Sequence, residues 1–449
     1  MIEKKCKEYF KGKKITLMGL GLLGRGVGDA KFLLDCGADV LVTDLKDELA
    51  LRDSIKKLSK YKNVSFHLGG HKLEDFKNRD LILKSAGVPL DSIYTKEAKK
   101  NKIPVEMSAS LFKKLSNVPM IAVTGTRGKS TVTQMISHIL STSGKKVLLG
   151  GNVLGVSNLD LLRRVKDADI AVFELDSWQL QGFGDAKMSP NISVFTTFYP
   201  DHLNYYKDSL EKYFKDKANI FLYQKSGDTL VLGRQMKKFF EEFSSKNNFK
   251  SKARIIIPNT KLKEGFSLRV PGEHNAYNAS IAVSVCNALG VKDSVIKKAL
   301  KDFKGVPGRL EFIRNAYGRK IYNDTTATTP EATIVALRAL CEKDKRNVVL
   351  IMGGADKNLD MLKLLKEIKI SVKSVVLLSG TGTERIKTMW DKMKVPAFEY
   401  DDLGDAVLEA MDMSDKGDVI LLSPAFASFG MFKNEYDRGE KFNKIVNKI

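Results

Sequence analysis

The sequence predicts a multi-domain α/β protein organised around parallel sheets, and three observations carry that expectation. At 449 residues the chain is too long for one core and calls for two to four domains of ordinary size. Short apolar runs alternate with helical patterns throughout, the signature of strands joined by crossover helices. Two of those runs lead straight into glycine-rich turns, GLGLLG (19–24) and GTRGKST (125–131).

The runs fall into three groups. The first holds KITLMG (14–19), DVLVTD (39–44) and DLILKSAG (80–87), each a buried strand ending in a Gly or Asp turn. The second opens with PMIAVTG (119–125), continues through DIAVFEL (169–175) and ISVFTTF (192–198), and runs to about residue 305. The third holds KIYND (320–324), NVVLIMGG (347–354), SVVLLSG (374–380) and DVILLSP (418–424). Breaks are expected near residues 102 and 306, giving segments 1–102, 103–306 and 307–449. The second break lies at GVPGR (305–309), a Gly/Pro cluster suited to a linker.

Composition narrows the classes. With 43% hydrophobic and 29% charged residues the chain reads as soluble and globular. No stretch approaches the ~18 uninterrupted apolar residues of a membrane helix. The N-terminus MIEKKCKEYFKGKK lacks an apolar signal core, so a cytosolic protein with no membrane insertion is expected. Cys6, Cys36, Cys286 and Cys341 lie far apart with no CxxC, which argues for reduced thiols over a disulfide framework or a zinc site. The net charge of +22 raises nucleic-acid binding, but the lysines are spread along the chain with no nucleic-acid-binding motif beside them. No nucleic-acid partner is expected, although anionic substrates would feel the field. Nothing calls for more than a monomer.

GTRGKST is the strongest motif. A strand precedes it, and Val132, Met135, Ile136, Ile139 and Leu140 behind it give the stripe of an amphipathic helix that Gly144 can cap. Glycines let backbone N–H groups approach phosphate oxygens, and the helix N-terminus favours their charge. Lys129 is placed to reach β- and γ-phosphates, and Ser130 to ligate Mg²⁺. The spacing is shorter than GxxxxGK[ST], since only Thr126 and Arg127 separate Gly125 from Gly128. GLGLLG is weaker. Taken alone, with Asp44 closing the next strand where a ribose-binding acid would sit, it fits an NAD or UDP ligand equally, or a tight βα turn with no ligand. Glu174 and the pair Asp201-His202 end two further apolar runs, where a carboxylate and an imidazole can hold a divalent cation bridging phosphates.

Nine stretches taken in order resemble the Mur ligases. GTRGKST is similar to the family's GTxGKST, GGN (150–152) to GGNIG, ELDSWQL (174–180) to ELSSFQL, and PDHLNYY (200–206) to PDHLDRH. GEHNAYN (272–278) resembles GxHNxxN, GRLE (308–311) HRxE, and NDTTATTPEAT (323–333) NDSKATNxxAT. GGADKNLD (353–360) and LLSPAFASFGMFKNEYDRG (421–439) complete the series. The resemblance implies three domains: an N-terminal Rossmann-like one holding UDP, a central P-loop-type ATPase sheet, and a C-terminal Rossmann-like one holding the incoming amino acid. It implies an ATP-dependent amide-bond ligase of peptidoglycan precursor synthesis. UDP-N-acetylmuramoyl-L-alanine would be phosphorylated on its carboxylate and then attacked by glutamate.

The resemblance also implies roles for residues. Gly21, Leu22, Leu23, Asp44, Leu45, Lys46, Ser85 and Gly87 fall on UDP-contacting positions, and Asn152 on a further substrate position. Gly125 to Thr131, Asn275, Asn278, Arg309 and Asp324 fall on ATP positions. Ser130, Glu174, His202 and Lys217 fall on positions for two Mg²⁺ ions, Lys217 as a carbamate. Lys129, His202, Lys217 and Arg309 are the expected catalytic set, and Thr328, Lys357, Ser428 and Phe429 contact the amino acid.

The departures cluster. Thr326 stands where the family has a lysine that helps bind glutamate, Gly308 replaces a histidine, and Glu435 an aromatic; Asp216 replaces an alanine beside Lys217. The first three touch the amino-acid pocket, so D-glutamate is the first expectation and L-glutamate the alternative. A folylpolyglutamate synthase shares the central loop but normally lacks the UDP-binding domain. A non-catalytic nucleotide-binding scaffold would need a spoiled ATP site, and Lys129, Ser130, Glu174, His202 and Lys217 are all present.

Overall fold

The computed structural model describes residues 2–449 apart from 90, 344, 391, 392 and 394. It divides into two compact units, Met1–Thr260 with Ser280–Ile296, and Lys261–Ala279 with Lys297–Ile449.

The first unit holds two sheets. β1 (Lys14–Met18), β2 (Asp39–Asp44), β3 (Val64–Leu68), β4 (Leu81–Lys84) and β5 (Val105–Glu106) form one, ordered β3-β2-β1-β4-β5. β6 (Met120–Thr124), β7 (Val147–Gly151), β8 (Ile170–Glu174), β9 (Ile192–Phe195), β10 (Thr229–Leu232) and β11 (Arg254–Ile256) form the other, ordered β11-β10-β9-β6-β8-β7. Every pairing in both is parallel. Parallel strands are covered on both faces, which is why β1, β2, β4, β6 and β8 are near-continuous apolar runs in the sequence. A single apolar core runs through both sheets, with Phe32, Leu33 and Val40 in the same cluster as Phe112, Leu148, Phe173 and Phe183. The first sheet takes in Val105–Glu106, beyond the expected break at residue 102.

The second unit is built on β12 (Glu311–Ala316), β13 (Arg319–Asn323), β14 (Val348–Gly353), β15 (Val372–Leu378), β16 (Ala397–Tyr400) and β17 (Val419–Leu422), ordered β12-β13-β17-β14-β15-β16. This sheet is mixed: β12 runs antiparallel to β13, and the other pairs are parallel. The two-residue turn at Tyr317 and Gly318, both at positive φ, is the hairpin connection that reverses the chain there.

In doubly wound sheets, ligands gather at the carboxyl ends of the strands. Those ends carry GLGLLG after β1, GTRGKST after β6 and NDTTATTP after β13.

Candidate functional site

The loop after β6 is shaped for close approach by a ligand. Gly125 has φ 145°, and a Cβ there would lie 2.0 Å from Thr196 Oγ1 and 3.0 Å from the Thr197 nitrogen. Gly128 has φ 84° and stands at the start of the helix Lys129–Thr142, whose first N–H groups are left without intrahelical acceptors. That helix ends as expected, with Gly144 at φ 88° and the Lys145 N–H donating to Leu140. The loop is fixed from below. The Thr126 N–H donates to the Thr197 carbonyl at 2.8 Å, the Arg127 N–H to Thr197 Oγ1 at 2.9 Å, and the Tyr199 N–H to Thr126 Oγ1 at 3.0 Å.

Two amines converge on one carbonyl. Lys129 Nζ and Lys217 Nζ each donate to the Gly125 oxygen at 3.0 Å. Lys217, on the helix Leu210–Ala218, is 1% exposed, also reaches Thr124 Oγ1 at 3.4 Å, and lies over the Tyr213 ring. Burial first, and then the Lys129 charge, drive its amine well below the usual lysine range, against the pull of Asp176, Asp201 and Glu174. His202 takes a left-handed conformation at φ 53° and packs its ring on Trp178 with centroids 4.7 Å apart. Burial lowers its pKa, partly countered by Asp201. Glu174 closes β8 beside Val123 and is buried.

Among the described residues, no group of three or more His, Cys, Asp or Glu could hold a metal ion by itself. The donor set nevertheless fits Mg²⁺, which takes one or two protein ligands and completes its shell with phosphate oxygens and water. Ser130, Glu174 and His202 are hard or borderline donors, and burial lowers the pKa of the Lys217 amine, which favours the neutral form that takes up CO₂.

A cleft of about 810 Å³ opens in the same unit at the end of β1. Gly21, Leu22, Leu23, Asp44, Leu45, Lys46, Ser85, Gly87 and Asn152 all line it. Leu22 and Leu45 are 59% and 72% exposed, apolar surface that a bound ring would cover. Gly19 is required here, because a Cβ would meet Ser85 Oγ at 2.3 Å. Asp44 is committed to the loop itself: Oδ2 accepts from the Leu20 and Gly21 N–H groups at 2.8 and 3.0 Å, and Oδ1 from that of Lys46 at 2.9 Å. Asn152 accepts from Arg25, which lines the cleft and carried no sequence signal of its own.

In the second unit three loops meet. Ala425 donates to the Ala327 carbonyl at 2.9 Å, and Ala355 and Ala427 exchange hydrogen bonds at 2.9 and 3.1 Å. This brings the loops after β13, β14 and β17 together, and with them Thr328, Lys357, Ser428 and Phe429. Lys357 Nζ donates to Thr328 Oγ1 at 2.9 Å, Ser428 is buried, and Phe429 is 67% exposed. Asp324 is fully buried, accepting from the Leu310 N–H at 3.0 Å and Ser423 Oγ at 2.9 Å; burial pushes its carboxyl up to about 7.

The three departures near the amino-acid loops are neighbours here. Thr326 donates through both N and Oγ1 to the Gly308 carbonyl, at 3.1 and 2.9 Å. Gly308 has φ 69°, and a Cβ there would lie 2.8 Å from Thr325 Cγ2. The Glu435 carbonyl accepts from Thr325 Oγ1 at 2.8 Å. Arg438, fully buried, donates to Thr325 through Nε and Nη2 at 3.0 and 2.8 Å. Sequence reasoning passed over Arg438, although it stands inside the final quoted motif. Arg309 follows Gly308, its N–H on the Val306 carbonyl, while Asn275 and Asn278 are buried near the start of the helix Glu273–Ala288, Asn275 donating to the Pro271 carbonyl.

Comparison with known proteins places the whole chain in a family. Family models match in three consecutive blocks: the Mur ligase MurD-like N-terminal domain at residues 13–106, the Mur ligase middle domain at 123–286, and the Mur ligase glutamate ligase domain at 308–426. A UDP-N-acetylmuramoylalanine–D-glutamate ligase from Borreliella burgdorferi is 36% identical, covering 98% of this chain and 99% of its own length. One from a Roseiflexus species is 35% identical, covering 97% and 98%. Among solved structures, a UDP-N-acetylmuramate–alanine ligase from Thermotoga maritima aligns over 97% of this chain and 99% of its own, with TM-score 0.63 and 20% identity. A folylpolyglutamate synthase from Thermotoga maritima aligns over 76% of this chain and 94% of its own, with TM-score 0.54 and 18% identity; both structural likenesses concern the fold. Matched along nearly its whole length by sequence relatives and by three successive domain models, the chain belongs to the Mur ligase family.

Proposed function

We propose that this chain joins D-glutamate to UDP-N-acetylmuramoyl-L-alanine, coupled to cleavage of ATP to ADP and phosphate. In this reading the first segment, carried on from residue 102 to Glu106 by β5, the central one up to residue 306, and 307–449 take the sugar nucleotide, ATP and the amino acid in turn. The observation that carries it is the pair of lysines on the Gly125 carbonyl at the mouth of a glycine-rich loop, in the unit that also holds the cleft.

The chemistry follows from charge. An amine does not displace oxide from a carboxylate, so the carboxylate is first activated. One of its oxygens attacks the γ-phosphorus and ADP departs, leaving an acyl phosphate. The glutamate amine then attacks the acyl carbon, phosphate leaves with the carbonyl electrons restored, and the ammonium loses a proton. Both steps crowd negative charge, which the loop amides, Lys129 and Arg309 neutralise. Ser130, Glu174, His202 and Lys217 as a carbamate would hold two magnesium ions, which supply electrostatic stabilisation of the phosphates. Asn275, Asn278 and Asp324 take the nucleoside, and Thr328, Lys357, Ser428 and Phe429 the amino acid. A bare Lys217 ammonium would repel the cation, and its lowered pKa supports the carbamate.

The test is direct. Enzyme is incubated with ATP, Mg²⁺ and UDP-N-acetylmuramoyl-L-alanine, and D- or L-glutamate is offered separately. Product of the expected mass with D-glutamate supports the reading. Product with L-glutamate alone would reassign the acceptor, and phosphate release independent of both substrates would favour a scaffold. Lys129→Ala should lower turnover by about 100-fold or more.

A further inference from the structure

We propose that Lys84 and Asp216, joined through Gln181, form a partly buried charge-compensated brace that holds the Lys217 helix and the His202 turn against the phosphate loop. The inference rests on the function proposed above and assigns positioning residues to it.

The brace is continuous. Lys84 ends β4, is 8% exposed, and donates from Nζ to Gln181 Oε1 at 3.1 Å. Gln181, itself buried, donates from Nε2 to Asp216 Oδ2 at 2.8 Å and to the Tyr205 hydroxyl at 3.2 Å. The Tyr206 hydroxyl donates to the same Asp216 oxygen at 3.0 Å, and the Tyr205 hydroxyl to the Val88 carbonyl at 3.0 Å. The orientation of the amide is dictated by charge. Its oxygen faces the ammonium and its NH₂ the carboxylate, and the reverse orientation would oppose like polarity at both ends.

Each anchor sits on an element that carries or directly follows a group assigned to the ATP site. Asp216 precedes Lys217 on the helix Leu210–Ala218. Tyr205 and Tyr206 lie on the short helix Leu203–Tyr206 that His202 begins. Gln181 lies on the helix Ser177–Asp185, whose Asp176 cap follows β8 and Glu174 by one residue. Three elements that carry or flank the proposed magnesium residues are thus tied to one carboxylate. Through Lys84 and Val88 they are also tied to the wall of the substrate cleft.

A brace of opposite charges has a signature that plain packing lacks. Removing Asp216 leaves Lys84 only partly compensated, by Asp185, whereas removing both partners leaves no such imbalance. Asp216→Ala should lower the melting temperature and reduce kcat about tenfold, since small misplacements of reacting groups cost rate steeply. Lys84→Met with Asp216→Ala should recover most of the melting temperature while kcat stays about tenfold down. In Asp216→Ala alone, KM for the sugar nucleotide should remain within about twofold. Asp216→Asn, which still accepts from Gln181 and Tyr206, should keep kcat within about threefold. A double variant with wild-type kcat, or a kcat that rises and falls with melting temperature across the set, would overturn the proposal. Wild-type product formation is measured first, as the control on the function itself. Affinity for a fluorescent ATP analogue with Mg²⁺, read without turnover, tests the brace independently: it should fall in both Asp216→Ala variants, and unchanged affinity in both counts against it.

Discussion

Asp324 shows how a single buried carboxyl sets a pH dependence. Burial raises it from 3.8 to about 7, so the folded chain keeps a proton that the unfolded chain has lost. The stability it contributes therefore falls as pH rises from about 4 to about 7 and is level outside that window. Asn at this position can still accept from the Leu310 N–H, so Asp324→Asn should flatten the slope. In a Trp178→Phe background Trp390 reports the second unit, and urea midpoints at pH 5 and 7 give the comparison; an equally steep fall in the Asn variant would refute the account. Lys357, paired with Thr328, is expected to bind the amino-acid carboxylate. Its replacement by Ala should raise KM for the amino acid about 10- to 100-fold and leave KM for ATP within about twofold, as initial rates will show. At this scale the sequence announced residues that sit in motifs, such as His202 and Lys217. It was silent on Arg25, Gln181 and Arg438, whose work is to hold other groups, because one buried arginine or glutamine leaves no pattern until the chain is folded. Asp44 was legible as a position and not as a contact, since the loop amides that occupy its Oδ2 lie 23 and 24 residues away in sequence.

The turn between β6 and the helix Lys129–Thr142 is the element on which the ATP reading stands. Gly125→Ala would drive a methyl into Thr196 and the Thr197 backbone at a φ that L side chains rarely adopt. A cost of about 1–3 kcal/mol and a loss of turnover of about 100-fold are expected. Thermal melts and rates measure the two separately, and native turnover in this variant would be incompatible with a phosphate held against that backbone. Among strands, the apolar and doubly covered ones were readable, as β2, β6 and β14 illustrate. β11 (RII) and β12 (EFIRNA) stand at sheet edges with several exposed residues, so neither an apolar run nor a clean alternation marked them. The antiparallel course of β12 followed from a Tyr-Gly turn, which is a weaker hairpin cue than Asn-Gly.

For the molecule as a whole, the net charge of +22 bears on anionic substrates more than on the fold. Raising ionic strength from about 0.05 to about 0.3 M should increase KM for the sugar nucleotide and ATP while kcat changes little, because screening weakens attraction between separated charges. Initial-rate kinetics across a salt series would expose an unchanged KM, which would sever the charge from substrate capture. The three-part α/β organisation was legible because each sheet holds its own set of apolar strands ending in Gly or Asp turns. The sharing of one core by the first two sheets was not, since nothing local records which apolar faces meet. Lastly, Gly308, Thr326 and Glu435 belong to the third sheet and its flanking segments, while the phosphate loop belongs to the second. On the proposed function, choice of nucleophile is written on the third sheet and activation of the electrophile mainly on the second, with Arg309 and Asp324 as the third sheet's share in it. A lineage could retune the first by changing a handful of side chains without disturbing the second, and grafting residues 307–449 from a relative, with Arg309 and Asp324 kept as they are, should transplant acceptor preference with ATP use intact.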